Sequence, residues 1–246
     1  MAVQPPESRL DRLRVRAQQN FGRHLAANPY PGRGIVIGRL LSGDWVQVYW
    51  IMGRSANSRN RRFVVAGSSL RTEARDPARM EDPTNIIYEA MLELPNRFIV
   101  TNGDQTRTIY DALSSGGRFD DALATRERED DAPNYTPRIA GLLDLDRDGV
   151  IELAILRASE ADASLTDRVF WRPASPPPGL GYGITTYRTD GNPLPPYAGD
   201  PLWLPLPETA EDTADHYWSA LNEDNRIALA VKHIIKGESR ILLRKS

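Results

Sequence analysis

Ile35-Val-Ile-Gly-Arg-Leu-Leu41 and Trp45-Val-Gln-Val-Tyr-Trp-Ile-Met52, joined by Ser42-Gly-Asp44, decide the fold. β-Branched and aromatic residues dominate both runs, and the three residues between them are turn formers, so the pair predicts a β-hairpin. Hairpins make antiparallel pairs, whereas a parallel pair needs a long crossover.

The same pattern recurs along the chain. Residues 85–94 and 97–101 read as strands, the second closed by Asn102-Gly-Asp104. Residues 138–145 and 150–157 flank the turn Asp146-Arg-Asp-Gly149. Residues 226–235 and 240–243 form a last hairpin, and 63–66 add a short strand. Helical spacing is confined to 8–27, 105–115, 118–128 and 208–222. In the first of these, Leu10, Leu13, Ala17, Phe21 and Leu25 recur every three or four residues behind a Ser8 cap, with Pro5 and Pro6 ahead of it. Residues 67–84 read as loop. So do the proline- and glycine-rich residues 173–207, a length that implies packing on the surface or covering a site. Strands in hairpin runs, with few helices, predict an α+β fold with mainly antiparallel sheets. Residues 1–27 are expected to be an N-terminal amphipathic helix extension, and 28–246 a single domain.

Composition excludes several classes. The chain has 246 residues, of which 31 are Lys or Arg and 33 Asp or Glu, a near balance that gives no bulk drive toward nucleic acid or anionic membrane. It has no cysteine, so disulfides, thiolate nucleophiles and cysteine metal sites are absent. His24, His216 and His233 form no metal-ligand spacing. No apolar run is long enough to span a bilayer, and Glu7 and Asp11 spoil a signal peptide. A cytoplasmic protein is the expectation.

Four stretches can carry chemistry. Gly53-Arg-Ser-Ala-Asn-Ser-Arg-Asn-Arg-Arg62 crowds guanidinium forks and hydroxyls that suit a phosphate. The same composition also fits a solvated loop or a weak RNA contact. Ile99-Val-Thr-Asn-Gly-Asp104 enters a helix and can present backbone N–H groups to an anion, or simply cap that helix. Glu129-Asp-Asp131 crowds carboxylates, which raises the pKa of one of them for proton transfer or merely makes an acidic turn. Asp144-Leu-Asp-Arg-Asp-Gly149 imitates a calcium loop, but Ile155 stands where a glutamate is needed, so it reads as a hairpin turn. No nucleophile elbow, P-loop or dinucleotide fingerprint is present.

Taken in order, Asn-Pro-Tyr-Pro-Gly-Arg-Gly (28–34), Met-Gly-Arg-Ser-Ala-Asn-Ser-Arg-Asn-Arg (52–61), Ile-Val-Thr-Asn-Gly-Asp-Gln-Thr (99–106) and Asp-Ala-Pro-Asn-Tyr-Thr-Pro-Arg-Ile (131–139) resemble the bacterial branch of the archaeal-type IMP cyclohydrolase family. The resemblance covers residues 28–157. It implies a four-layer αββα sandwich like that of the N-terminal-nucleophile hydrolases, used without an N-terminal nucleophile. It implies dehydrative ring closure of 5-formamidoimidazole-4-carboxamide ribotide to IMP in purine biosynthesis, with no metal and no redox cofactor. The implied partner is a small purine ribotide, not nucleic acid or membrane, and a homo-oligomer is compatible. Position by position, Arg54, Arg61 and Arg138 are expected to anchor phosphate or carbonyl, with Arg54 also at the chemistry. Tyr88 and Glu129 are expected to form the proton-transfer pair. Ser55, Asn60, Asn102, Gly103, Asp104 and Thr136 are expected to bind substrate. The competing expectations are an inactive or regulatory purine-nucleotide-binding protein, and a cyclase or amidohydrolase acting on a related ribotide.

Overall fold

The computed structural model describes residues 8–80, 83 and 86–245. Pro5, Pro6, Glu7 and Asn85, used in the expectations above, lie outside the described residues. In chain order the strands are β1 (Gly34–Arg39), β2 (Trp45–Met52), β3 (Arg61–Ala66), β4 (Ser69–Ala74), β5 (Glu89–Leu94), β6 (Arg97–Thr101) and β7 (Arg138–Asp144). They continue as β8 (Val150–Ala158), β9 (Thr166–Trp171), β10 (Leu180–Thr185), β11 (Leu202–Pro205), β12 (Arg226–Ile235) and β13 (Glu238–Lys245). The helices are α1 (Arg9–Phe21), α2 (Ala56–Arg59), α3 (Gln105–Ser114), α4 (Phe119–Ala124) and α5 (Ala210–Ala220).

Two antiparallel sheets result. The first has the order β11-β10-β1-β2-β12-β13 and the second β3-β4-β5-β6-β7-β8-β9. Alternation along each strand assigns its faces. Ile35, Ile37, Tyr49 and Ile51 of the first sheet meet Phe98, Val100, Ile139 and Ile151 of the second between the sheets. Val36, Val48 and Trp50 turn the other way, onto Phe21, Leu25, Ala214 and Tyr217 of the α1 region and α5. Ile99, Ala140 and Leu142 turn from the second sheet onto Ile109, Leu113, Phe119 and Leu123 of α3 and α4. Each sheet is therefore covered on both faces, which is why its central strands read as continuous apolar runs. A fully buried side chain of this kind contributes about 1.5–3 kcal/mol, so these three layers of contact dominate the stability of the fold.

Helix α1 begins at a capping box in which Ser8 accepts from the Asp11 N–H and Asp11 accepts from Ser8. It runs on through one wider turn (Gly22–Ala26), ending at Ala27 before the Asn-Pro-Tyr-Pro segment. No helix of the described residues is long and apolar enough to cross a membrane.

The loops expected at 67–84 and 173–207 need correction. The first contains β4, whose Leu70, Thr72 and Ala74 point inward while Arg71 and Glu73 point outward. The second contains β10, buried along its whole length between β11 and β1 of the first sheet, and β11 itself. Gly181 faces Gly38 of β1, and a Cβ on Gly38 would lie 2.4 Å from the Gly181 Cα. The glycines thus permit a close strand approach while removing the side chains that mark a strand. β9 had no counterpart in the sequence expectation; it is a half-exposed edge strand with mixed composition. The strand expected from 85 starts at Glu89, and the helix expected over 118–128 stops at Ala124.

Candidate active site

Antiparallel pairing puts the start of β1 beside the ends of β2 and β10, because Gly34 pairs with both Trp50 and Thr185. In the second sheet the same end carries the start of β3, the end of β6 and the start of β7. The connecting segments at this end enclose a cleft of about 410 Å³. Four separate stretches of sequence line it: 30–33, 52–61, 129–136 and 187–194, with Ile86 between them.

Glu129 lies in the wall of this cleft and is 3% exposed. Arg33, from the segment entering β1, donates through Nη2 to Glu129 Oε2 at 2.9 Å. Glu129 Oε1 lies 2.8 Å from the same guanidinium but receives no aligned hydrogen bond. Burial pushes the Glu129 carboxyl above the ordinary glutamate range, against the downward pull of Arg33 and Arg138. Burial also opposes the charge on Arg33, but Glu129, which is both its counter-charge and its hydrogen-bond acceptor, outweighs it, so the guanidinium stays charged. The three carboxylates of the acidic triplet thus differ in their surroundings. Asp130 stands in solvent with a side chain 95% exposed. Asp131 reaches the cleft but accepts from the Thr136 N–H at 2.6 Å and its hydroxyl at 2.5 Å.

The arginine-rich stretch is not a plain loop. Ser55 caps the short α2, accepting from the Ser58 N–H at 3.1 Å. Arg61 is buried and donates to the Ser58 and Met52 carbonyls at 2.7 and 3.0 Å, bracing the loop from inside. Arg54 lies over the Tyr30 ring, its guanidinium carbon 5.0 Å from the ring centre, and bonds Asp190 and the Gly191 carbonyl across the cleft. Arg54, Ser55 and Arg61 all line the cleft; Arg59 and Arg62 do not.

The far wall comes from the proline-rich segment after β10. The Tyr187 hydroxyl shares a hydrogen bond with Thr136, and the Leu194 N–H donates to Asn134 Oδ1 at 3.0 Å. Part of residues 173–207 therefore forms a side of the cleft.

Of the residues expected from sequence, Arg54, Ser55, Arg61, Glu129 and Thr136 converge on the cleft. Asn60 does not line it: its amide exchanges two 2.7 Å bonds with the Asp76 main chain. Asn102 is wholly buried and holds the Pro137 carbonyl and the Ile139 N–H at 2.9 and 2.8 Å. Asp104 pairs with Arg126 and with Arg138 Nη1, the latter at 2.6 Å. Gly103 makes room for that pair, since a Cβ there would lie 2.6 Å from Arg138 Nη1. Tyr88 is buried in the inter-sheet core and shares a 2.6 Å hydrogen bond with Tyr49, outside the cleft wall. Arg33, Tyr30, Asn134 and Tyr187 are cleft residues that the sequence did not single out.

A family model described as "IMP cyclohydrolase-like protein" matches residues 30–238. The IMP cyclohydrolase of Methanothrix thermoacetophila is 35% identical over 121 residues, 46% of this chain and 57% of that protein. The IMP cyclohydrolase of Methanopyrus kandleri is 27% identical over 162 residues, 64% of this chain and 75% of that protein. The chain thus spans somewhat over half the length of the first of these relatives. The family match takes in every segment that lines the cleft, from Tyr30 to Leu194, and by it the chain belongs to the IMP cyclohydrolase-like family.

Proposed function

We propose that this chain closes the second ring of the purine base, converting 5-formamidoimidazole-4-carboxamide ribotide to IMP with loss of water. The observation that carries the proposal is Glu129: a buried carboxylate, held above its ordinary pKa, with one oxygen lacking a donor in the wall of a cleft that also presents Arg54, Ser55 and Arg61. Two IMP cyclohydrolases among its relatives support the choice of substrate.

The chemistry asks for positioning and a proton carrier. The carboxamide nitrogen attacks the formyl carbon. Glu129 takes the proton that nitrogen loses, and the formyl oxygen becomes a hydroxyl. The formamido nitrogen then gives its hydrogen to the carboxylate as the hydroxyl leaves as water and C=N forms. In each half the carboxylate removes one proton from nitrogen and delivers one to oxygen, so it ends as it began. Arg54 and Ser55 hold the ribotide phosphate, while Arg61 supports their loop and keeps a positive charge beside it. Arg138 contributes through its field at Glu129. The two face-to-face antiparallel sheets, each backed by helices, support an N-terminal-nucleophile-hydrolase-like architecture.

The test is turnover of the formylated ribotide by the purified chain without added metal, followed as IMP formation. A rate equal to the uncatalysed one rejects the proposal. Thermal stabilisation by IMP with no turnover would instead establish a nucleotide-binding protein.

A further inference from the structure

We infer that Arg33 is the positioning residue of this site: from the opposite sheet its Nη2 lies 2.8 and 2.9 Å from the two oxygens of Glu129, hydrogen-bonded to the second, and so fixes the carboxylate in the wall of the cleft. The inference rests on the role proposed above for Glu129. Arg33 enters β1 in the first sheet, whereas Asn102 follows β6 and Glu129 precedes β7 in the second. Its Nη1 donates to the Asn102 carbonyl at 2.8 Å and its Nη2 to Glu129 Oε2 at 2.9 Å. Its own N–H donates to Thr186 Oγ1 at 3.0 Å, and its carbonyl accepts from the Thr186 N–H at 2.8 Å. One guanidinium therefore ties the two sheets together in the wall of the cleft, its planar fork donating through two nitrogens at once.

The partners behind Arg33 are themselves fixed. Asn102 accepts from the Ile139 N–H and from Gln105 Nε2 at 2.8 and 2.9 Å and donates to the Pro137 carbonyl. The Thr-Asn-Gly-Asp stretch, which in sequence suggests a ligand contact, here frames Arg33. The main chain of Glu129 is held by its N–H to the Thr136 carbonyl at 3.0 Å. With Oε2 engaged, Oε1 is left without a hydrogen bond. The other titratable groups that act on Glu129 are Arg138 at the start of β7, Asp131 on the same loop and Tyr187 beyond β10. Among these cations Arg33 alone bonds the carboxylate, so weakening its grip lets burial raise the Glu129 pKa further.

Arg33→Lys keeps the buried charge but not the two-way donation. The Glu129 carboxyl, identified as the carbon-13 resonance lost in Glu129→Gln, is titrated in the wild type and in this variant. The variant should titrate about one unit higher or more. Its kcat should fall about tenfold or more with KM nearly unchanged, and the limb of the pH–kcat profile that belongs to Glu129 should move up with the resonance. Thr186→Val, which only loosens the Arg33 main chain, should give a smaller displacement in the same direction. An unmoved Glu129 titration in a folded variant, or a loss of kcat with an unmoved pH limb, overturns the inference. Failure of the wild type to turn over would reject the proposed reaction instead, and the resonance would still decide whether Arg33 controls Glu129.

Discussion

Two cation–carboxylate pairs are set between the sheets, one near each end, and they are built differently. At the cleft end, Arg33 and Glu129 are 7% and 3% exposed, and one carboxylate oxygen has no hydrogen bond. Toward the other end, Lys232 of β12 is wholly buried and reaches Glu93 Oε2 of β5 at 2.6 Å, where Ser239 also donates at 2.7 Å. Burial raises the Glu129 carboxyl above its ordinary range. At Glu93 burial also acts upward, but the bonds from Lys232 and Ser239 outweigh it and the carboxyl is lowered. A carboxylate whose hydrogen bonds outweigh its burial holds sheets together. One left short of a donor beside a cavity can exchange a proton with whatever enters.

The sharpest way to break this contrast is to neutralise each carboxylate without changing its shape. Glu129→Gln should lower turnover about 10²- to 10⁴-fold, the range of general acid–base catalysis, with KM little changed. The variant should also be less stable, because the buried Arg33 loses its counter-charge, so its rate is compared per folded molecule. Unchanged turnover would remove Glu129 from the chemistry.

Glu93→Gln should cost stability alone. It strands Lys232 in the interior without a counter-charge, which costs about 3 kcal/mol in urea unfolding, toward the low end for breaking a buried pair. Activity per folded molecule should stay at the wild-type level. The sign with pH is fixed by the lowered Glu93 carboxyl: its contribution is complete above the ordinary glutamate pKa and is lost as pH falls through the folded value. Lys232 is held below its ordinary value, by burial first, with the bond to Glu93 offsetting part of it. The wild type should therefore lose more stability than Glu93→Gln between neutral and strongly acidic pH. Parallel losses would mean that the pair is not the structural clamp described here.

How legible each region was in sequence follows from the range of its interactions. β1, β2 and β12 were legible because their alternation and apolar content are local. β10 was not, since Gly181 and Gly183 remove side chains and prolines flank the run. β4 was missed because its outward positions are charged. Glu129 stood out as part of a carboxylate cluster, yet only burial separates it from the exposed Asp130. Arg33 had no local mark: its partner is 96 residues away on the other sheet. Asn102 and Asp104 looked like ligand contacts because a polar frame and a polar binding site have the same composition.

A smaller effect is expected at the cleft mouth. Arg54→Gln removes the charge that bridges Tyr30 and Asp190, and should raise KM about tenfold with kcat nearly unchanged, as loss of uniform binding does. A fall confined to kcat would move Arg54 from anchoring to chemistry, and the contrast between the two pairs would then have to include it.

Tyr88 gives the finest test, because it lies in the inter-sheet core, bonded to Tyr49, without lining the cleft. Tyr88→Phe leaves the Tyr49 hydroxyl without its 2.6 Å partner, a cost of about 1 kcal/mol in stability. If the phenol only packs behind Arg33, turnover should fall less than Glu129→Gln makes it fall, by under about tenfold. A loss as large as that of Glu129→Gln would instead make Tyr88 and Glu129 one proton-transfer unit, as the family resemblance implies. In that case the cleft must open inward to the Tyr88 hydroxyl when the ribotide binds, and the double variant would be no slower than either single one.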